Sequence, residues 1–189
     1  MFQDIVFPHN NEQDFLDISK KLNIDKTIFC YPFGKKPNSK SFEFSSNPYE
    51  IKKAPQGAPV VSLSAGRDIF EVQKPLFIFG LEETSRNDSM HSRHSGFNHI
   101  LAEMACKNSH TVCFSHCALL NSGTANFSTV LGRMMQNVRL CRKYKVRMKL
   151  ASFANSPRHL RAAKEMESFG HFLGMHSGEI KKVLELNFD

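Results

Sequence analysis

Short apolar runs alternate along this chain with stretches whose apolar positions recur every three or four residues. The first pattern fits strands and the second fits amphipathic helices. "FQDIVF" (2–7) predicts a strand, and "EQDFLDISKKL" (12–22) a helix with Phe15, Leu16, Ile18 and Leu22 on its apolar side. "KTIFCY" (26–31) predicts a second strand. Residues 34–59 are rich in Pro, Ser and Lys and predict a loop-rich insertion with one short strand at "SFEF". "VVSLSA" (60–65) and "LFIFGL" (76–81) predict strands, with a short helix at "RDIFEVQ" (67–73) between them and a polar loop over 86–95.

The second half repeats the pattern more regularly. Phe97, Ile100, Leu101, Met104 and Ala105 mark one face of a helix over 97–108, which Ser95 can cap. "HTVCFSH" (110–116) predicts a strand. Phe127, Val130, Leu131, Met134, Val138 and Cys141 define the longest helix, about 126–144. "RMKLASFA" (147–154) predicts a strand, and Ser156-Pro157 a helix start, because a first-turn Pro lacks only an N–H that has no partner there anyway. Ser177 is the expected cap of a last helix carrying Ile180, Val183 and Leu184. Repeated β-α-β order with long crossovers predicts an α/β fold in one domain, 1–189, with six or seven strands. A doubly wound sheet and a (β/α) barrel both fit. No GxGxxG or Walker motif decides between them.

No apolar run approaches the roughly 20 residues that span a bilayer. The start "MFQDIVFPHN" has no basic n-region, so no signal peptide is expected and the cytoplasm is the expected compartment. Five cysteines without a secretory signal read as reduced thiols. Cys113 and Cys117 have a four-residue offset but no second pair, and read as small buried hydrophobes before they read as zinc ligands.

Charge changes the picture. The chain carries +7, and residues 1–90 hold 11 Lys/Arg against 12 Asp/Glu, whereas residues 91–189 hold 14 against 6. Between Met104 and Lys164 there are 11 basic residues and no acid. Such asymmetry builds a field on one side of a fold, and nucleic acid phosphate is its commonest partner. On the long helix, Gly132, Gln136, Arg139 and Lys143 lie opposite the apolar stripe, with Arg133 and Arg142 flanking it. A solvated face usually mixes signs, and this one has no acid. Arg158 and Arg161 follow at the next helix start. Arg93 and His99 stand at the start of the 97–108 helix, with His99 about 200° from Phe97 at ~100° per residue, away from the core.

Autonomous catalysis finds little support. There are nine His, but a metal-dependent phosphoesterase needs carboxylates converging with them, and residues 104–164 carry none. "FPHN" offers one His after the first strand, and no Gly-x-Ser-x-Gly elbow occurs.

Ser95, Gly96, Asn98 and His99 at one helix start, "GRMMQNVRLCRKYKV" in the long helix, the strand end "ASFA" and Ser156-Pro157-Arg158 together resemble ribonuclease P protein component 3 of archaea, related to the thirty-kilodalton eukaryotic subunit. The resemblance covers residues 95–175; residues 1–90 match only in β-α-β order. It implies a TIM-like barrel, shortened or irregular in its first half, akin to polymerase-and-histidinol-phosphatase (PHP) proteins without their metal chemistry. It implies a subunit of ribonuclease P, which removes the 5′ leader from precursor tRNA. The RNA would be the catalyst and would need Mg²⁺, and the protein would bind no cofactor and supply no catalytic residue. Component 2 would be the direct partner, with components 1 and 4 in the holoenzyme, and no membrane. Arg93, His99, Arg133, Arg139, Arg142, Lys143, Arg158 and Arg161 are the expected RNA-binding residues. A PHP-type metal-dependent phosphoesterase and a basic interaction scaffold are the alternatives. His94 stands where relatives often carry an acid.

Overall fold

A computed structural model describes residues 1–35, 41–54, 59–63, 66–83, 87–89 and 93–185. Seven strands form one parallel sheet in chain order. They are β1 (Gln3–Val6), β2 (Lys26–Pro32), β3 (Phe42–Ser45), β4 (Val60–Ser62), β5 (Phe77–Ile78), β6 (Thr111–Ser115) and β7 (Arg147–Ala151). The helices are α1 (Glu12–Lys21), α2 (Pro48–Lys53), α3 (Arg67–Phe70), α4 (His99–Lys107), α5 (His116–Asn121), α6 (Gly123–Tyr144), α7 (Ala163–Phe172) and α8 (Ser177–Leu184). A doubly wound sheet would reverse its strand order part-way. This order never reverses, and β1 meets β7 through the parallel bridge Val6–Ala154. The fold is therefore a TIM-like barrel, with seven strands among the described residues and its shortest, β4 and β5, in the first half.

Strand periodicity divides the apolar residues into two cores. Ile5, Ile28, Cys30, Phe42, Val61 and Cys113 point inward and fill the barrel. Their neighbours, among them Val6, Ile78, Val112 and Leu150, point outward against the helices. Each strand is thus covered on both faces, as parallel strands require.

Three ties hold the seam between β1 and β7. At the strand starts, Lys149 Nζ donates to the Gln3 carbonyl (2.7 Å) and to the Leu184 carbonyl (2.8 Å). In the middle, the Asp4 carboxylate accepts from Ser152 N and Ser152 Oγ, both at 2.6 Å, and from Ile5 N at 3.0 Å. At the strand ends, Phe7 N donates to the Ala154 carbonyl at 2.8 Å. Burial pushes the Asp4 carboxyl up, and the Ser152 bonds and nearby Lys149 oppose it. Burial likewise pulls the Lys149 ammonium down to about 8.

Local expectations needed several corrections. α4 is capped by Asn98, whose Oδ1 accepts from Leu101 N at 3.0 Å. Ser95 is instead buried, and its Oγ donates to the Phe97 carbonyl. Ile100, expected on the apolar face, is 47% exposed, and Ala102 and Ala105 are the buried helical residues. Asn47-Pro48 starts α2 inside the expected loop, with Asn47 Oδ1 accepting from Tyr49 N. His116 leaves the strand and opens α5, because Ser115 Oγ caps Ala118 N at 2.9 Å. Ser156-Pro157 starts only a 3-10 turn, Pro157–His159, and the helix proper begins at Ala163. His176 precedes α8 as its cap residue, so Ser177 is the first helical position. The expected strand end at Ser64 and Ala65, and parts of 34–59 and 86–95, lie outside the described residues.

Asp4→Ala should lower the urea midpoint by an amount worth about 3 kcal/mol, because it leaves buried donors without an acceptor. Asp4→Asn, which keeps an acceptor for Ser152 N, should lose less. Equal midpoints for wild type and Asp4→Ala would show that the seam does not depend on this carboxylate.

Candidate nucleic-acid interface

α6 sorts its cations by facing. Val130, Met134, Val138 and Cys141 anchor it, and Arg139 and Lys143 project into solvent. Arg93 joins them from the preceding segment. Its guanidinium lies so close over Gly132 that a Cβ there would sit 1.8 Å from Nη1, so any larger residue would displace it. Gln136 Nε2 fixes the segment by donating to the Arg93 carbonyl (3.2 Å) and Ser95 Oγ (3.0 Å). Arg93, Gln136, Arg139 and Lys143 therefore form one stripe along the helix. Lys145 and Arg147, both exposed, continue it into the start of β7.

Two of the expected contact residues are paired with acids of the protein itself. Arg133 is 4% exposed. It pairs with Asp88, Nε at 2.9 Å and Nη2 at 2.8 Å, and donates from Nη1 to the Glu82 carbonyl at 3.0 Å. Arg142 grips Glu179 bidentately, at 2.8 and 2.7 Å, and donates to the Gly174 carbonyl. That grip holds the Glu179 carboxyl down at about 2. Both guanidiniums tie α6 to neighbouring segments, Arg133 buried and Arg142 still exposed. Helical spacing placed them beside the apolar stripe, but their acidic partners come from distant segments, which periodicity does not reveal.

The remaining expected residues lie elsewhere. His99 is exposed at the first position of α4. Arg158 is exposed in the turn after β7, and Arg161 folds back onto the Leu160 and Arg158 carbonyls at 2.7 and 3.2 Å. That turn sits at the strand C-terminal end, whereas Arg139 and Lys143 lie toward the opposite end, where α6 runs into β7. The cations thus divide into a flank stripe and a separate turn.

Barrel enzymes place their chemistry at the strand C-terminal mouth. Here phenyl rings pack that mouth. Phe7 meets Phe44 edge-on at 5.1 Å and lies 5.9 Å from both Phe79 and Phe153, and Phe79 stacks on Phe153 at 4.6 Å. Phe153 adopts a left-handed backbone, φ 50°, which is costly for a bulky residue and here turns its ring into the barrel. Cys113 belongs to the inner core and Cys117 to the outer one, so their side chains do not converge. Burial raises both thiols, Cys117 to about 11. His116 stands edge-on to Phe169 at 5.2 Å, and burial, with Arg161 nearby, lowers its imidazole.

A buried polar knot, which the sequence pattern did not single out, ties Glu82 and Ser95 to α6. Asn137 Nδ2 donates to Glu82 Oε1 (2.9 Å) and to the Ser95 carbonyl (3.1 Å). Burial pushes the Glu82 carboxyl up to about 7, with the Asn137 bond opposing.

This geometry, a closed barrel with an aromatic mouth and a basic flank, has a counterpart in sequence. The chain is similar to ribonuclease P protein component 3. The protein of that name from Thermococcus kodakarensis is 33% identical over 89 residues, which is 47% of this chain and 40% of the relative. The matched stretch is therefore less than half of either protein. In shape, a chain from a cryo-EM structure of archaeal ribonuclease P with mature tRNA matches with a TM-score of 0.75, over 95% of this chain and 86% of that one, at 14% identity. At that identity the likeness is one of fold. No family model matches the chain. The component 3 resemblance thus has a partial sequence match behind it, and the barrel has a nearly complete fold match. No helix among the described residues is long and apolar enough to cross a membrane.

Glu82 yields a pH prediction. Its folded-state value lies above the ordinary 4.5, so the stability it contributes is fully present below pH 4.5 and is lost as pH rises through about 7. Glu82→Gln keeps an acceptor for Asn137 without the buried charge. The variant should gain stability over wild type at pH 8, and the gain should vanish toward pH 4.5. A pH-independent difference in urea unfolding would refute this.

Proposed function

We propose that this chain is a protein subunit of ribonuclease P, the ribonucleoprotein endonuclease that removes the 5′ leader from precursor tRNA. The reading is carried by the agreement of two likenesses, one of sequence over 89 residues and one of fold over 95% of the chain, on the same ribonucleoprotein. The site geometry supports it physically. Rings fill the mouth where a barrel enzyme would hold reacting groups, and the acid-free flank offers Coulomb attraction for phosphate. In this reading the protein contributes binding, the RNA is the catalyst, and Mg²⁺ serves the RNA. Component 2 is the direct protein partner, components 1 and 4 complete the holoenzyme, and the assembly works in the cytoplasm. Arg93, Arg139 and Lys143 form the principal phosphate contacts, and His99, Arg158 and Arg161 form secondary ones.

Two measurements test the proposal. Precursor tRNA cleavage should require this chain when the RNA and component 2 are reconstituted with and without it, and the chain alone should not cleave. Cleavage indifferent to its presence removes the assignment. Separately, Arg139→Ala with Lys143→Ala should leave thermal unfolding unchanged and reduce the salt slope of structured-RNA binding by up to about 1.8, the sum for two lost phosphate contacts. An unaltered slope means that this flank does not meet the RNA.

A further inference from the structure

Gly132 stands in the middle of α6, a 22-residue helix, where Gly is the least favourable residue after Pro and Ala the most favourable. The backbone there does not call for Gly, because Gly132 is not among the residues with positive φ. Close packing of apolar side chains does not call for it either. At Gly170 an added Cβ would press on Ile180 and Leu150, so that glycine lets α7, α8 and β7 approach one another. At Gly132 the three nearest heavy atoms an added Cβ would meet all belong to the Arg93 guanidinium, Nη1 at 1.8 Å, Cζ at 2.4 Å and Nη2 at 2.9 Å. The space of the missing side chain is taken by a cation from another segment.

That segment is held to the same helix. One turn after Gly132, Gln136 Nε2 donates to the Arg93 carbonyl at 3.2 Å and to Ser95 Oγ at 3.0 Å, and Asn137 Nδ2 donates to the Ser95 carbonyl at 3.1 Å. The backbone that carries the Arg93 side chain is thus tied to α6 close to where its guanidinium lies. Arg93 is exposed and forms no ion pair among the described residues. Asp88, the carboxylate whose field it feels, is already paired with Arg133 at 2.8 Å. Between Gly123 and Val138 the only cation that α6 itself carries is Arg133, which is buried. Arg93 therefore supplies the charge that this half of the helix face lacks, with its seat about 10 Å along the axis from Arg139.

We propose that Gly132 is a positioning residue for Arg93: its missing side chain seats the guanidinium on α6, where it binds an RNA phosphate in line with Arg139 and Lys143. The proposal rests on the RNA-binding reading above and deepens it, naming the residue that orders the first cation of the stripe. An arginine ordered beforehand loses less side-chain freedom when a phosphate arrives, so it binds more tightly than the same charge on a mobile stem.

Gly132→Ala in the full chain changes no charge. It should raise the urea midpoint, because Ala favours helix and the displaced side chain can swing into solvent, yet weaken structured-RNA binding about fivefold. In an Arg93→Ala background, where the seat is empty, the same substitution should again raise the midpoint and leave RNA affinity as it is. NMR relaxation of the Arg93 Nε–Hε group reports the seat without RNA. The group should be ordered in the wild-type chain and mobile in Gly132→Ala. A mobile Arg93 in the wild type overturns the proposal. So does a Gly132→Ala variant that unfolds or is less stable in both backgrounds, since the Cβ would then be meeting something other than a displaceable side chain. If Arg93→Ala weakens RNA binding and Gly132→Ala does not, the seat fails and the RNA-binding reading stands. If neither Arg93→Ala nor Arg139→Ala with Lys143→Ala alters RNA affinity, the flank reading itself fails and the contact proposed here falls with it.

Discussion

The contact between β1 and β7 is the constraint on which the rest of the molecule depends. An open parallel sheet of seven strands would expose two edges and leave one face of its inner core in water. Regular pairing does not run the length of this seam, where the bridge Val6–Ala154 stands outside the named strands. Side chains supply what the ladder lacks. The Asp4 carboxylate takes two donors from Ser152, and Lys149 spans from β7 to carbonyls of β1 and α8. Burying either ion alone would be expensive, and each lowers the other's penalty. Closure in turn sets the size of the lumen. Inward residues of seven short strands fill it, and the top layer is phenylalanine.

Much of this architecture was legible in sequence because it follows from periodicity. The alternation in β6 and β7 and the three-four spacing in α6 are strong patterns, and their elements lie within a few residues of expectation. What was illegible depended on which residue a side chain reaches. Ser95 resembles a cap, yet its hydroxyl is drawn inward to the Phe97 carbonyl and to Gln136, and Asn98 takes the capping role. His116 continues an apolar run on paper, but Ser115 before it can cap, and capping wins. The choice between barrel and doubly wound sheet was undetermined by local signals because both share β-α-β units. It is settled by Asp4 meeting Ser152, a contact across 148 residues.

The candidate interface shows the same division. Counting charges locates the basic half of the chain, but counting does not say which cations pair within the protein. Arg133, Arg142 and Lys149 belong to the acid-poor stretch and are all engaged internally, two with carboxylates from other segments and one with backbone carbonyls. Arg139 and Lys143 sit on the same helix as Arg133 and Arg142, and of the four only Arg133 is buried. Nothing in the helical spacing marks that Asp88 folds across α6 to pair with Arg133.

The two ends of the barrel then have different physical character. At the strand C-terminal end, where barrels usually present polar groups to a substrate, Phe7, Phe44, Phe79 and Phe153 leave an apolar cap. At the other end, α6 delivers Arg139 and Lys143 to the surface, and β7 begins with Lys145 and Arg147 beside them. The helix C-terminus there carries partial negative charge, which favours cations in its last turn and so stabilises the cluster that an anion needs. Lys145 also takes the left-handed position that ends α6, so a cation stands at the turn from that helix into β7. Exposed cations thus gather at this end of the barrel, and aromatic rings at the other.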